Sequence, residues 1–415
     1  MAAACWSDTL SAMHHLLRNV VEREEGRAAR FATPFLVIDD ARVRANAERL
    51  RAAFRDQAEI FFAVKANNHP AVLRTLRDMD CGFDVASARE IGQLVALGVP
   101  GARMVFSNPV KVPDHIDFAY AHGVRLFACD TEEEIEKIAR RAPDSEVYIR
   151  IAVDNTGSAW PLAGKYGVEE EEALALMDSA AAKGLVPVGL TFHVGSQCEN
   201  MDNWRAALRQ CAPIWEAASK RGHRMRLLDL GGGLPAPYAE EPYPLEKLGD
   251  EVRALVEAHF PGAPRMIIEP GRFLVADAAV FVASVIGRAT RRGKKLVYLD
   301  AGLFNGLMEA YEVFWYPVEC LHEGRTEAEE ETVTLVGPTC DSVDEIVDAI
   351  RLPRLAVGDR IAFLCAGAYT NSYEAYNGFE FPHVLTTADL AEKKEQGTIP
   401  AQPSAVSRGS NVQST

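Results

Sequence analysis

The run Phe61-Phe62-Ala63-Val64-Lys65-Ala66-Asn67-Asn68 places a lysine and two asparagines directly after four apolar residues. A short, continuous apolar run of this kind is typical of a strand in a parallel sheet that is covered on both faces. In a TIM barrel such strands end at the mouth where active sites lie. The run therefore predicts a barrel strand that ends beside Lys65.

Strand-like and helix-like segments alternate on both sides of this run. Further barrel strands are predicted at 104–107, 126–129, 147–153, 188–193, 227–230 and 266–269, and amphipathic helices at 41–54, 86–97 and 132–140. About eight strand and helix units that close on themselves form a TIM (β/α)8 barrel. We therefore predict an α/β fold with such a barrel at its centre.

The alternation of strand-like and helix-like segments ends at about residue 279, and β-rich segments broken by turns follow. The predicted division is an N-terminal helix and strand (1–39) that join the β domain, a barrel (40–278), a mixed, sandwich-like or barrel-like β domain (279–390) and a tail (391–415). The tail is polar and poor in large apolar residues, so we expect it to be disordered.

Composition excludes several functional classes. The net charge of −15 disfavours binding to nucleic acid or to anionic membranes. No apolar run approaches the roughly 20 residues that span a bilayer, and the N-terminus lacks a secretory pattern. The eight cysteines form no CxxC pair, so neither disulfides nor a structural zinc are expected. We expect a cytoplasmic protein without a bound metal.

Reactive side chains follow several predicted strands. These are Lys65, His193, the glycines Gly231, Gly232 and Gly233, and the pair Glu269 and Arg272. Taken singly, each has an ordinary structural explanation, such as a surface lysine, a core histidine, a plain turn or a local ion pair. Together they provide an amine, an imidazole, a phosphate cradle, a carboxylate and a guanidinium at one barrel mouth. Pyridoxal 5'-phosphate requires this set of groups.

Ordered motifs between residues 35 and 385 support this interpretation. In chain order they are FFAVKANN (61–68), GFDVASARE (82–90), HVGSQ (193–197), LDLGGG (228–233), EPGR (269–272), GPTCDS (337–342) and GAYT (367–370). With these motifs the chain resembles the fold-type III ornithine/lysine/diaminopimelate decarboxylases, and among them the bacterial ornithine or lysine/ornithine enzymes.

The resemblance implies a role for each matching residue. Lys65 binds the cofactor aldehyde covalently, Glu269 holds the ring nitrogen, and His193 stacks on the ring with Asp84 nearby. The residues that it implies for the phosphate are Ser196, Gly233, Arg272 and Tyr369, with Gly231 and Gly232 in the same cradle.

The resemblance also implies a homodimer with shared active sites, because Cys340 and Asp341 enter from the partner subunit. In this interpretation Cys340 returns a proton to Cα, and Asp341 selects substrates with a distal amine. The second substrate acid of the family is an Asp in a short helix, and Glu312 stands in the corresponding stretch here.

The predicted reaction is decarboxylation of a basic L-amino acid, first of all L-ornithine to putrescine, which serves polyamine or specialised amine synthesis. Lysine and 2,4-diaminobutyrate stay open as substrates, because one methylene changes binding by only about 1–3 kcal/mol. An amino-acid racemase has no need of the Cys340 and Asp341 pair. A non-catalytic regulatory homologue has no need of Lys65, Glu269 and Arg272.

Overall fold

The structure is a computed structural model. It describes residues 16, 31–162, 164–238, 243–262, 264–311, 314–321, 329–372 and 382–392. The predicted N-terminal helix, apart from Leu16, lies outside the described residues, as do Glu312 and nearly all of the predicted tail.

The chain forms eighteen strands within the described residues. In chain order they are β1 (Phe35–Ile38), β2 (Ala58–Ala63), β3 (Gly82–Asp84), β4 (Met104–Val105), β5 (Leu126–Cys129), β6 (Glu146–Arg150), β7 (Ser158–Trp160), β8 (Val186–Thr191), β9 (Ser196–Cys198), β10 (Leu227–Asp229), β11 (Arg265–Ile268), β12 (Ala279–Arg291), β13 (Lys294–Leu299), β14 (Val318–Leu321), β15 (Glu330–Val336), β16 (Glu345–Pro353), β17 (Arg360–Phe363) and β18 (His383–Thr386).

The α-helices of the described residues lie mainly between the barrel strands. They are α1 (Asp40–Ala53), α2 (Pro70–Asp78), α3 (Ala88–Ala96), α4 (Pro113–Ala121), α5 (Glu132–Arg141), α6 (Glu170–Ala182), α7 (Met201–Lys220), α8 (Leu245–His259), α9 (Arg272–Val275) and α10 (Thr387–Glu392). Side-chain caps mark several starts, as Asp39, Ser87 and Thr131 accept N–H bonds from the first turns of α1, α3 and α5. None of these helices is both long and apolar enough to cross a membrane.

Eight parallel strands form the barrel in the order β4-β3-β2-β11-β10-β8-β6-β5. A parallel bridge between Phe106 and Phe127 joins the two edge strands, so the barrel closes. Its interior is packed with alternate side chains from the strands, namely Phe61, Val105, Leu126, Ala128, Tyr148, Val188, Leu227 and Ile267. The barrel interior is therefore filled by side chains, and the residues that follow the carboxyl ends of the strands lie at one mouth of the barrel.

The second domain is a mixed sheet in the order β14-β17-β12-β13-β15-β16. Strand β1 joins it, pairing antiparallel with β12 and parallel with β18. The predicted fold class, a TIM barrel with a β-rich second domain, is thus confirmed.

Candidate active site

Lys65 lies in a single 3-10 turn directly after β2. Two residues of the second domain hold the backbone of this turn. Ser372 Oγ donates to the carbonyl of Lys65 over 2.6 Å, and the Tyr369 N–H donates to the carbonyl of Ala66 over 2.7 Å. The Lys65 side chain faces the cavity at the barrel mouth and keeps 51% of its surface exposed. The amine is therefore both fixed in position and accessible.

Asp84, at the end of β3, is the partner of this amine. Its Oδ2 lies 3.0 Å from Lys65 Nζ, and its Oδ1 is buried without a hydrogen-bond partner among the described residues. Desolvation lowers the pKa of Lys65, but the charges of Asp84, Tyr369 and Glu269 outweigh it and raise that pKa above its ordinary value. The lysine is thus held as a cation next to a carboxylate with one unused acceptor.

Glu269 follows β11 and is buried at the same mouth. Ser107 donates a hydrogen bond to its Oε1. The fully buried Asp229 at the end of β10 neighbours it and accepts bonds from Thr191 Oγ1 and from the Gly231 N–H, each over 2.8 Å. Burial, and then the repulsion between these acids, raise the pKa of Glu269 well above its usual range, and burial also raises the pKa of Asp229.

His193 follows β8 and lies beside the glycines. Its Nδ1 accepts the Gly195 N–H over 3.0 Å. Burial, together with the nearby cations Arg150 and Lys65, lowers the pKa of His193 well below its ordinary value. The ring is therefore neutral, and because Nδ1 is an acceptor, its proton is on Nε2.

The glycines at 231–233 leave no room for side chains. A Cβ on Gly231 would overlap the Phe192 carbonyl, and one on Gly233 would overlap the Gly195 carbonyl. A Cβ on Gly232 would lie 2.9 Å from His193 Nε2. Gly231 and Gly233 also have left-handed φ values of 63° and 107°. Backbone atoms of Gly232 and Gly233 consequently line the cavity directly.

Arg272 begins the short helix α9 and is only 4% exposed. It donates to Tyr238 Oη over 2.7 Å and to Ser196 Oγ over 3.3 Å. It also makes a two-point ion pair with Glu309, and its guanidinium lies 4.9 Å from the centre of the Tyr369 ring. The structure thus brings the predicted residues Ser196, Arg272 and Tyr369 together.

The residues present fit pyridoxal phosphate. A cavity of about 440 Å³ brings together the Lys65 amine, the Glu269 carboxyl, the His193 ring, the glycine backbone and Arg272. Backbone that no Cβ obstructs and a buried guanidinium are suitable donors for a phosphate, and a buried acid suits a ring nitrogen. Asp84 offers an unused acceptor beside the amine.

Several residues of the site were missed from the sequence. They are Ser107, Tyr148, Arg150 and Asp229. Arg150 and Asp229 are the last residues of β6 and β10, so their strand-end positions could have indicated them, whereas Ser107 is two residues beyond β4 and Tyr148 is in the middle of β6. Glu309 has no such signal. It reaches Arg272 from a 3-10 turn of the second domain, 37 residues further along the chain.

Cys340 and Asp341 lie on a turn of the second domain, and neither lines the cavity among the described residues. The buried Asp344 holds this turn by accepting bonds from Thr339 and from the Leu303 N–H. Cys340 is exposed, and Asp341 accepts the Val343 N–H. The chain by itself therefore presents these two groups on its surface. Glu312 lies outside the described residues, so its role stays a prediction.

The fold and this site together define a barrel enzyme that binds a B6 cofactor. Residues 40–276 match the family model described as pyridoxal-dependent decarboxylase, pyridoxal binding domain. The lysine/ornithine decarboxylase of Selenomonas ruminantium is 34% identical over 88% of this chain and 92% of its own.

Solved structures agree with these matches. The lysine/ornithine decarboxylase of Vibrio vulnificus, complexed with putrescine, is 30% identical with a TM-score of 0.79, and the match covers 90% of this chain and 97% of that one. The arginine decarboxylase of Paramecium bursaria Chlorella virus is 28% identical with a TM-score of 0.83, covering 89% and 100%. The chain belongs to the pyridoxal-dependent decarboxylase family. The predicted family, enzyme class and cofactor are thereby confirmed.

Proposed function

We propose that this enzyme removes the α-carboxyl group of a basic L-amino acid, with L-ornithine as its preferred substrate and putrescine and CO2 as products. The observation that carries the proposal is the Lys65 amine, 3.0 Å from Asp84, in a cavity that also contains Glu269 and the glycine backbone.

The proposed cofactor-binding roles are those that the family resemblance implies, and the residues concerned lie together at the barrel mouth. Lys65 is the covalent attachment point, and Asp84 keeps its amine oriented. In the holoenzyme Glu269 would face the ring nitrogen, and the neutral His193 would pack on the ring. When bound, the cofactor accepts the electron pair that remains after CO2 departs.

The phosphate end is assigned to the part of the cavity that is lined by glycine backbone, Ser196 and Arg272. There the backbone of Gly232 and Gly233 lines the cavity, and Ser196 and Arg272 already share a hydrogen bond. The Gly231 N–H is already bonded to Asp229 Oδ1. Tyr369 lies against the Arg272 guanidinium. Because Arg272 is also paired with Glu309, the backbone N–H groups carry a larger part of phosphate recognition than in a site with an unpaired arginine.

The substrate end is assigned to a second copy of the chain. We propose a homodimer in which Cys340 and Asp341 of one subunit complete the cavity of the other, which fits their exposed turn. Tyr311 and Trp315 are 55% and 72% exposed, as is expected of aromatic residues that a partner covers. In the dimer, the Cys340 thiol donates a proton to Cα after CO2 leaves, and the Asp341 carboxylate pairs with the distal amine.

L-Lysine is the second candidate, because similar proteins are named lysine/ornithine decarboxylases. The test is an amine-product assay on the purified holoenzyme with ornithine, lysine, 2,4-diaminobutyrate, arginine, phenylalanine and tyrosine. We expect the highest kcat/KM with ornithine and a lower value with lysine. Activity confined to phenylalanine or tyrosine would contradict the role of Asp341, and preference for lysine would contradict the ornithine assignment alone.

A further inference from the structure

Two hydroxyl groups lie behind Glu269. Ser107 follows β4 at the barrel mouth and lines the cavity, and Tyr148 lies in β6 within the barrel core. The Ser107 Oγ is 3.0 Å from the Tyr148 Oη and also bonds to Glu269 Oε1. A continuous hydrogen-bonded chain therefore runs from the core of the barrel to the acid.

The direction of this chain follows from the chemistry of its ends. When Glu269 is ionised it can only accept, so Ser107 then donates to Glu269 and its own oxygen accepts from Tyr148. Burial, followed by the nearby acids Glu269 and Asp229, raises the pKa of Tyr148 well above its ordinary value, so the phenol keeps its proton. Both hydroxyls thus point their hydrogens towards the acid.

The surroundings of Glu269 otherwise work against its ionised form. Burial, Asp229 on β10 and Asp84 on β3 all raise its pKa, whereas Lys65 and the Ser107 hydrogen bond lower it. The cation Arg150 on β6 also interacts with Glu269, and His193 nearby is neutral. A neutral Glu269 would not hold a proton on the ring nitrogen of the cofactor, and that proton makes the ring an electron sink.

We infer that Ser107, oriented by Tyr148, is a positioning residue that favours the ionised form of Glu269 when the cofactor is bound, and thereby favours a proton on the cofactor ring nitrogen. This inference rests on the proposed role of Glu269. It adds a chain of two hydroxyls that sets the charge of this acid.

The test uses holoenzyme reconstituted with pyridoxal phosphate carrying ¹⁵N in its ring, and the readout is the ring ¹⁵N chemical shift. Wild-type protein should give the shift of a protonated ring. S107A should move the shift towards that of an unprotonated ring and lower kcat by roughly 10- to 100-fold, because a hydrogen bond to a charged group is lost. S107T, which keeps the hydroxyl, should restore the wild-type shift, and Y148F should move it in the same direction by less.

Ser145 provides the matched control. It is a buried serine whose hydroxyl has no partner among the described residues, and it lies just before β6, at the end of the strand opposite to the mouth. S145A should keep the wild-type ¹⁵N shift and kcat.

Each outcome decides one point. An unchanged ¹⁵N shift in S107A would overturn the inference, even if activity fell, and an equal change in S145A would do the same. If S107A does not fold, Y148F decides in its place, and an unchanged shift there overturns the inference. An unprotonated ring in wild-type holoenzyme would instead refute the proposed role of Glu269.

Discussion

The barrel mouth and the 337–344 turn of the second domain present reactive groups in opposite ways. At the mouth, Glu269, Asp229 and Arg272 are buried and bonded within one chain. On the turn, Cys340 is exposed, although Asp344 fixes the backbone around it. The difference is what we expect if one chain holds the cofactor by itself and the proposed partner subunit completes the substrate side of the site.

The largest expected effect concerns the mouth. K65A should remove covalent cofactor binding and lower kcat/KM by on the order of 10⁴-fold or more, because the proposed attachment point is lost. Visible absorbance of the bound cofactor and product formation measure this. K165A, which removes another lysine of the same cavity, should keep the absorbance band. Loss of the band in K165A but not in K65A would refute the assignment.

The turn should behave differently. C340A should keep the absorbance band and lower the rate of product formation by roughly 10²- to 10⁴-fold, the range of general acid catalysis. The band shows whether cofactor binding has survived, and the product assay shows whether proton donation has been lost.

Mixing the two variants sharpens this comparison. K65A and C340A subunits that exchange freely should regain about a quarter of the wild-type sites, because half of the dimers are mixed and each has one intact site. If both groups acted within one chain, mixing would restore nothing.

The next effect separates substrate choice from chemistry. D341N should lower kcat/KM for ornithine by roughly 100-fold, because the distal ammonium loses an ionised partner. The absorbance band should not change. Equal losses with ornithine and with an apolar amino acid would show that Asp341 does not recognise the distal amine.

The smallest effect concerns the stability of the cofactor-free protein. Burial raises the pKa of Asp229 from its usual value to about 7, so the folded protein binds an extra proton between about pH 4 and pH 7. Stability that is present below this window is therefore lost as the pH rises through it. Between pH 5 and pH 8, the free energy of unfolding of D229N should fall by about 2–3 kcal/mol less than that of wild type, measured by urea unfolding. A wild-type curve parallel to that of D229N would contradict this account.

Much of the barrel could be predicted from the sequence because its strands are continuous apolar runs. Seven predicted strands correspond to β2, β4, β5, β6, β8, β10 and β11. The eighth, β3, has only three residues and begins with a glycine, so its pattern is too short to recognise. It nevertheless positions Asp84.

The site could be predicted where chemistry follows a strand, as for Lys65, His193 and Glu269. Contacts between distant segments of the chain could not be predicted from the sequence. The pairing of Arg272 with Glu309 depends on how the second domain packs on the barrel, and no local pattern encodes it. The same holds for Ser107, which is one residue among many polar ones until the barrel closes beside Tyr148.

The 367–372 loop has a consequence for any attempt to take the enzyme apart. Besides the bonds to the turn of Lys65, its Gly367 carbonyl accepts a bond from Asn67 over 2.9 Å. The fold thus joins the turn of Lys65 to a segment that lies some 300 residues further along the chain. A gene fragment that ends with the barrel would lack these hydrogen bonds. Grafting the barrel onto a foreign domain would therefore require replacing them first.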